Sequence, residues 1–381
     1  MGIAVSSSFD SGNIDCVSVS ESDAALRLRI RRDRASEHMQ WFHFQVTGAR
    51  GRALHWRIEN AGEASYPKGW EGYAVCASYD RETWFRVATQ YDQGELTCRH
   101  DVERDTVYYA YFAPYSEERH RDLIARAATR PRVAHQVLGL TLDGRPLDVL
   151  TVGEASAARL PIWVIARQHP GESMAEWLIE GLLERLYDPR DALARWLLDH
   201  SVFYIVPNMN PDGSVRGHLR TNAAGTNLNR VWHEPTAEAS PEVLVVRNRM
   251  DETGVECCLD VHGDEALPYN FIAGPDGVAT VTETRREQLE TFKHELMLSN
   301  PDFQVTHGYP RAPLGKANMT MCTNAVADRF RCLAMTLEQP FKDTADSTYP
   351  DEGWSPARAK GLGRSLLDAF ARTLFSKPSS A

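Results

Sequence analysis

His169-Pro170-Gly171-Glu172 sets an imidazole and a carboxylate three residues apart. The stretch follows an apolar run (162–165) and precedes a helical pattern, so it reads as a strand-to-helix turn where both groups reach one metal ion. Leu259-Asp260-Val261-His262-Gly263 adds a second histidine, and Thr336-Leu337-Glu338 an isolated carboxylate, each at the end of another apolar run. Two His and one Glu holding zinc, one ion per chain, with a free Glu beside a bound water, is the equipment of a peptide-hydrolysing site. In that reading His169, Glu172 and His262 are the ligands and Glu338 is the base that takes the water's proton. Asp260, two residues before His262, reads either as orienting that ligand from behind or as a buried strand acid with a structural partner.

These groups need elements to place them. From about residue 14 to 111 the chain reads as short strands broken by polar and glycine-rich turns: 25–30, 41–46, 53–59, 73–78, 85–88 and 106–112. That texture predicts an antiparallel β-sandwich over residues 1–115, and 116–130 reads as a linking helix. After Arg130 strands and helices alternate, predicting an α/β domain over 131–381 with a mixed, mainly parallel sheet covered by helices on both faces. Strands are expected at 162–165, 202–206, 256–261 and 331–337, and helices at 172–186, 241–251 and 282–299, with a last one starting at Ser355-Pro356. Pro211-Asp212-Gly213 reads as a turn. The four chemical residues then all fall at the carboxyl ends of strands, the edge where open α/β sheets bind ligands.

At 381 residues the chain can bury two cores, and its net charge of −10 argues against nucleic acid or an anionic membrane as main partner. No apolar run nears the roughly 18 residues that span a bilayer. Residues 1–13 lack the pattern of a secretory signal, and seven scattered cysteines suit reduced thiols in a cytoplasm. Cys257-Cys258 sits in an apolar run and is expected to be buried. Met1-Gly2 with Ser6 formally fits an N-myristoylation pattern, which chance supplies often.

His169-Pro170-Gly171-Glu172, Pro207-Asn208-Met209-Asn210-Pro211-Asp212-Gly213, Asn229-Arg230, His262 and Glu338, in this order, resemble the zinc metallocarboxypeptidases of the carboxypeptidase A type. The closer similarity is to their cytosolic, tubulin-deglutamylase-like branch, which also places a β-sandwich first. Phe9-Asp10-Ser11-Gly12-Asn13, Gln40-Trp41-Phe42-His43-Phe44 and Asp105-Thr106-Val107-Tyr108-Tyr109 resemble that branch's N-terminal signatures, so the likeness spans about residues 9–375. It implies hydrolysis at peptide or protein C-termini. Arg220 matches the arginine that polarises the scissile carbonyl, and Asn229 with Arg230 the pair that grips the terminal carboxylate. A guanidinium can hold a carboxylate through two parallel hydrogen bonds, which suits that last role.

Some family features are harder to place. Tyr309, the only tyrosine between Thr306 and Glu338, lies farther from Glu338 than the family's mobile tyrosine does. Glutamate-removing members carry a basic residue in the side-chain pocket; Lys316, Arg329 and Arg331 are the cations available, and Thr336 shares a strand face with Glu338. Two other readings stand beside this one. One is a zinc amidohydrolase of the aspartoacylase type acting on acyl-amino acids; the other is a peptide-binding protein with a relic site. The residues leave the oligomeric state open.

Overall fold

The computed structural model describes residues 2–375; Met1 of the myristoylation pattern and residues 376–381 of the expected second domain lie outside the described residues. Ten strands come first: β1 (Ala4–Ser6), β2 (Asp15–Ser20), β3 (Ala25–Arg29), β4 (His43–Thr47), β5 (Ala53–Ile58), β6 (Val75–Ser78), β7 (Phe85–Val87), β8 (Thr89–Asp92), β9 (Glu95–Asp101) and β10 (Thr106–Ala110). They form two five-stranded sheets, ordered β1-β4-β10-β6-β7 and β2-β3-β5-β9-β8. On β5 the period of two is plain: Leu54, Trp56 and Ile58 are buried while His55 and Arg57 face water. One expectation needs correcting, because β3 pairs with β5 in parallel, so the region is not wholly antiparallel.

Helix α1 (Glu117–Ala128), capped by the Ser116 side chain on the Arg119 N–H, leads into a seven-stranded sheet. Its strands are β11 (Val133–Leu140), β12 (Pro146–Val152), β13 (Leu160–Ala166), β14 (Ser201–Val206), β15 (Cys257–Val261), β16 (Phe271–Ala273) and β17 (Leu333–Glu338). They are ordered β11-β12-β14-β13-β15-β17-β16. The expected sheet is mixed, but less parallel than expected. β14, β13, β15 and β17 run parallel, whereas β11, β12 and β16 join antiparallel at the edges.

The remaining helices are α2 (Met174–Leu186), α3 (Ala192–His200), α4 (Pro211–Arg216), α5 (Pro241–Thr253), α6 (Glu283–Ser299), α7 (Cys322–Phe330) and α8 (Pro356–Phe375). On β13 the side chains alternate between two cores. Ile162, Val164 and Ala166 meet α2, α3, α6 and α8, while Trp163 and Ile165 meet α5 and α7. Each buried aliphatic contributes about 1.5–3 kcal/mol, so the four parallel strands form the rigid floor of the molecule. Helices α2 and α8 approach closely: a Cβ on Gly363 would stand 2.1 Å from the Leu178 carbonyl oxygen. Pro211-Asp212-Gly213 is not an isolated turn but the first turn of α4, with proline at the helix start and the Asn210 side chain accepting from the Gly213 N–H. Cys257 and Cys258 are buried as expected.

The two regions are joined by specific bonds as well as by a shared core. Arg86 of β7 donates to the backbone oxygens of Ala74, Phe341, Glu352 and Trp354, gathering the chain's last loops onto the N-terminal sheets.

Candidate active site

β13, β15 and β17 end side by side, and each delivers a residue to the same point. β13 stops at Ala166, and Arg167 adopts a left-handed conformation (φ 60°) that turns the chain into His169. Glu172 belongs to this turn rather than to α2, which begins two residues later; its N–H bonds the His169 carbonyl. The Arg167 guanidinium, almost fully buried, holds the turn by donating to the Pro170 and Tyr115 carbonyls and to Glu176. His262 follows β15 directly and Glu338 is the last residue of β17.

The three expected ligands converge. The Nδ1 atoms of His169 and His262 are 3.2 Å apart, and the two oxygens of Glu172 lie 2.7 Å and 2.8 Å from them. Two ligands about 2.05 Å from a tetrahedral zinc would be roughly 3.3 Å apart, so the imidazole spacing fits. The far nitrogen of each ring is already committed. His262 Nε2 faces Asp260 Oδ2 at 2.9 Å, and His169 Nε2 faces Asn227 Oδ1 at 3.1 Å. Those acceptors suit a proton on Nε2 in both rings, which turns both Nδ1 atoms, with the Glu172 oxygens, toward one spot where a metal ion would be held. Gln168 extends the support, donating to Asp260 and accepting from Trp232 Nε1.

The charges around this spot are skewed by burial. Burial alone would raise Glu172, but the imidazoles beside it hold its carboxyl well below the usual range. Burial and the nearby Arg220 charge lower His169 to about 4. His262 is pushed the other way: despite burial, Asp260 and Glu172 raise it well above 6.5. Glu338 is raised well above 4.5 by burial and by Glu172, Asp264 and Glu265, and its Oε2 has no hydrogen-bond partner among the described residues.

Similarity to known proteins agrees with this geometry. Residues 5–112 match the family model described as cytosolic carboxypeptidase N-terminal domain, and residues 120–269 match the one described as zinc carboxypeptidase. The metallo-carboxypeptidase of Pseudomonas aeruginosa, solved in complex with (2-guanidinoethylmercapto)succinic acid, superposes with a TM-score of 0.95 at 45% identity, over 97% of this chain and 99% of that one. This chain belongs to the zinc carboxypeptidase family. It is also 48% identical, over its full length, to an uncharacterized Zymomonas mobilis protein, of which it covers 99%. Mouse cytosolic carboxypeptidase 4 is 30% identical over 70% of this chain, a match that spans only 28% of the mouse protein.

The other residues expected in this carboxypeptidase's site take up varied positions. Arg220 lies with its guanidinium 5.3 Å from the Tyr66 ring and feels the charges of Glu265, Glu172 and Glu338. Asn229 is buried, with Oδ1 on the Cys322 N–H and Nδ2 3.4 Å from His262 Nε2. Arg230 is exposed, and its guanidinium donates to the Asn229 carbonyl. Thr336 is buried against the Thr323 hydroxyl at 2.7 Å. Tyr309 reaches Glu338 after all: its hydroxyl is 3.2 Å from Oε1 and 2.6 Å from Asp264 Oδ2. Of the three cations, Arg329 forks onto Asp251 and Arg331 pairs with Asp328, while Lys316 is exposed.

Several residues of the site carry no motif. Gln168, Asp264 and Glu265 flank the histidines and were within reach of a reading of strand-end neighbours. Asp33 and Tyr66, from loops of the N-terminal region, give no local signal. Glu265, buried beside Arg220, is raised to about 8 by burial and the charge of Glu172. No helix among the described residues is long and apolar enough to cross a membrane.

Proposed function

We propose that this enzyme removes residues from the C-termini of peptides or proteins, with one zinc ion held by His169, Glu172 and His262. The observation that carries this is the meeting of those residues and Glu338 at the ends of three adjacent parallel strands. Zinc in that cradle supplies Lewis acidity to the scissile carbonyl and to water. Arg230, exposed and free of acid partners among the described residues, receives the substrate's terminal carboxylate through a two-point bond, with Asn229 beside it. Arg220 stabilises the negative charge that grows on the carbonyl oxygen. Glu338 takes the proton from water and passes it to the departing amine; its raised affinity for protons suits it to hold one between those steps. Tyr309 restrains the Glu338 carboxylate by hydrogen bonding. The dicarboxylic acid bound by the Pseudomonas protein supports a site built for carboxylates.

Removal of C-terminal glutamate is the finer form of the proposal. Since Arg329 and Arg331 are spent on neighbouring acids, Lys316 is the cation left to meet a departing glutamate side chain. Thr336 would line that pocket. Seven free thiols support a cytoplasmic setting, and we retain domain limits of 1–115, 116–130 and 131–381. The deciding assay is turnover, in zinc, of peptides differing only in their last residue and in whether the C-terminus is free or amidated. Cleavage of an N-acyl amino acid in preference to any peptide would refute the peptidase reading.

A further inference from the structure

Asp33 belongs to the N-terminal region, yet its buried carboxylate is wholly engaged by the loop that bears Arg220. Oδ1 accepts from the Leu219 N–H at 2.6 Å, and Oδ2 accepts from the N–H groups of Arg220 (2.8 Å) and Thr221 (2.9 Å) and from the Thr221 hydroxyl (3.0 Å). Four donors on one carboxylate fix three consecutive residues of backbone. The same loop is bound from this side at further points. His218 Nε2 accepts from the Arg34 N–H, which leaves its Nδ1 to donate to the Thr221 carbonyl. The Asn13 side chain donates to the Gly217 carbonyl. Gly217 has φ +68°, and a Cβ there would stand 2.7 Å from the Ser11 carbonyl oxygen, so the loop passes flush against residues 11–13. The Leu219 carbonyl then accepts from the Gly171 N–H, joining the clamped loop to the turn that carries His169 and Glu172.

Beyond the clamp, the Arg220 guanidinium lies over Tyr66, another N-terminal residue. Gln40 grips the Tyr66 backbone at both its N–H and its carbonyl. The N-terminal region thus fixes the backbone of Arg220 and flanks its tip, while Glu265, Glu172 and Glu338 of the second region act on the guanidinium by charge without a contact ion pair among the described residues.

We infer that Asp33 is a positioning residue for hydrolysis: the N-terminal region completes the active site by setting Arg220 against the scissile carbonyl. This rests on the role proposed above for Arg220. It also gives that region a task in the chemistry of a single turnover, separate from any part in recognising large substrates.

The test is a cycle of Asp33→Ala, Arg220→Ala and the double variant, with kcat, KM, zinc content and thermal midpoint measured for each. Asp33→Ala should lower kcat/KM about 10- to 100-fold, mainly through kcat, with zinc retained, because small misplacements of a catalytic group cost rates of that order. The double variant should be no slower than Arg220→Ala alone. Additive losses, or a loss that tracks zinc or folded fraction, overturn the inference. If Asp33→Ala does not fold, Tyr66→Leu, which leaves the clamp intact, should show the same non-additivity with Arg220→Ala, and additivity there overturns it. A fully active Arg220→Ala overturns the role of Arg220 and the inference with it. A crippled Arg220→Ala beside a silent Asp33→Ala overturns the inference alone.

Discussion

Glu338 combines three properties seldom found in a structural acid: burial, three other carboxylates nearby, and an oxygen without a partner among the described residues. A structural acid would be paired; a base must be free to accept. Replacing it by glutamine should therefore cut kcat by about 10²–10⁴-fold while zinc remains bound. Metal analysis beside steady-state kinetics checks this, and an unchanged rate removes Glu338 from the reaction. For Arg230→Ala the loss should fall on KM for free C-termini and be absent for amidated ones; equal losses on both would end its role in carboxylate binding. Lys316→Ala should slow release of glutamate but not of alanine, as competing peptides in one mixture would reveal. At this scale the sequence was most readable where the chemistry is local. His169 and Glu172 are neighbours in one turn, and His262 and Glu338 each end an apolar run. Asp33 was hidden because its partners are 186 to 188 residues away, and a lone aspartate among arginines reads as solvated surface.

Among the elements, α1 is tied through charge to the turn that carries His169 and Glu172. His120 on α1 lies between Glu176 of α2 (2.5 Å) and Asp148 of β12 (3.1 Å), and Glu176 also receives Arg167. Burial alone would lower the imidazole, but Glu176 and Asp148 raise it to about 9, against about 6.5 in an unfolded chain. A raised value means the protonated form is favoured by folding, so this contribution is complete below pH 6.5 and is lost as pH climbs through 9. The thermal midpoint of His120→Gln should lie well below that of the natural protein at pH 6, and the gap should narrow above pH 9. A gap of constant size from pH 6 to 10 would show that the proton on His120 is irrelevant. The buried parallel strands and the longer helices were legible from apolar runs and caps. The hairpin of β11 and β12 was not, since β11 is mostly exposed and shows no apolar alternation. Helices α3 and α7 were missed because each has only nine residues, too few turns for an apolar face to stand out from its surroundings.

On the scale of the whole molecule, the proposed zinc site should link metal to fold. The ligands are buried and the cradle exists only in the folded chain, so zinc at about 100 times its dissociation constant should add about 2.7 kcal/mol to stability. Stripping the metal with a chelator should lower the thermal midpoint, and zinc should restore it; in His262→Ala neither treatment should matter. A chelator that left the natural protein's midpoint untouched would argue against tight binding here. The order of the two regions along the chain was readable from the change in texture near Arg130. The bonds between them were not, because each one joins segments with no pattern in common.

Arg86 adds a matter of timing. Its guanidinium waits for carbonyls 255 to 268 residues downstream, so its bonds to residues 341, 352 and 354 close only after that stretch has been made. Contacts so distant in order form late. After dilution from denaturant, strand and helix signals should return well before enzymatic competence, and a nascent chain halted at residue 340 should remain inert.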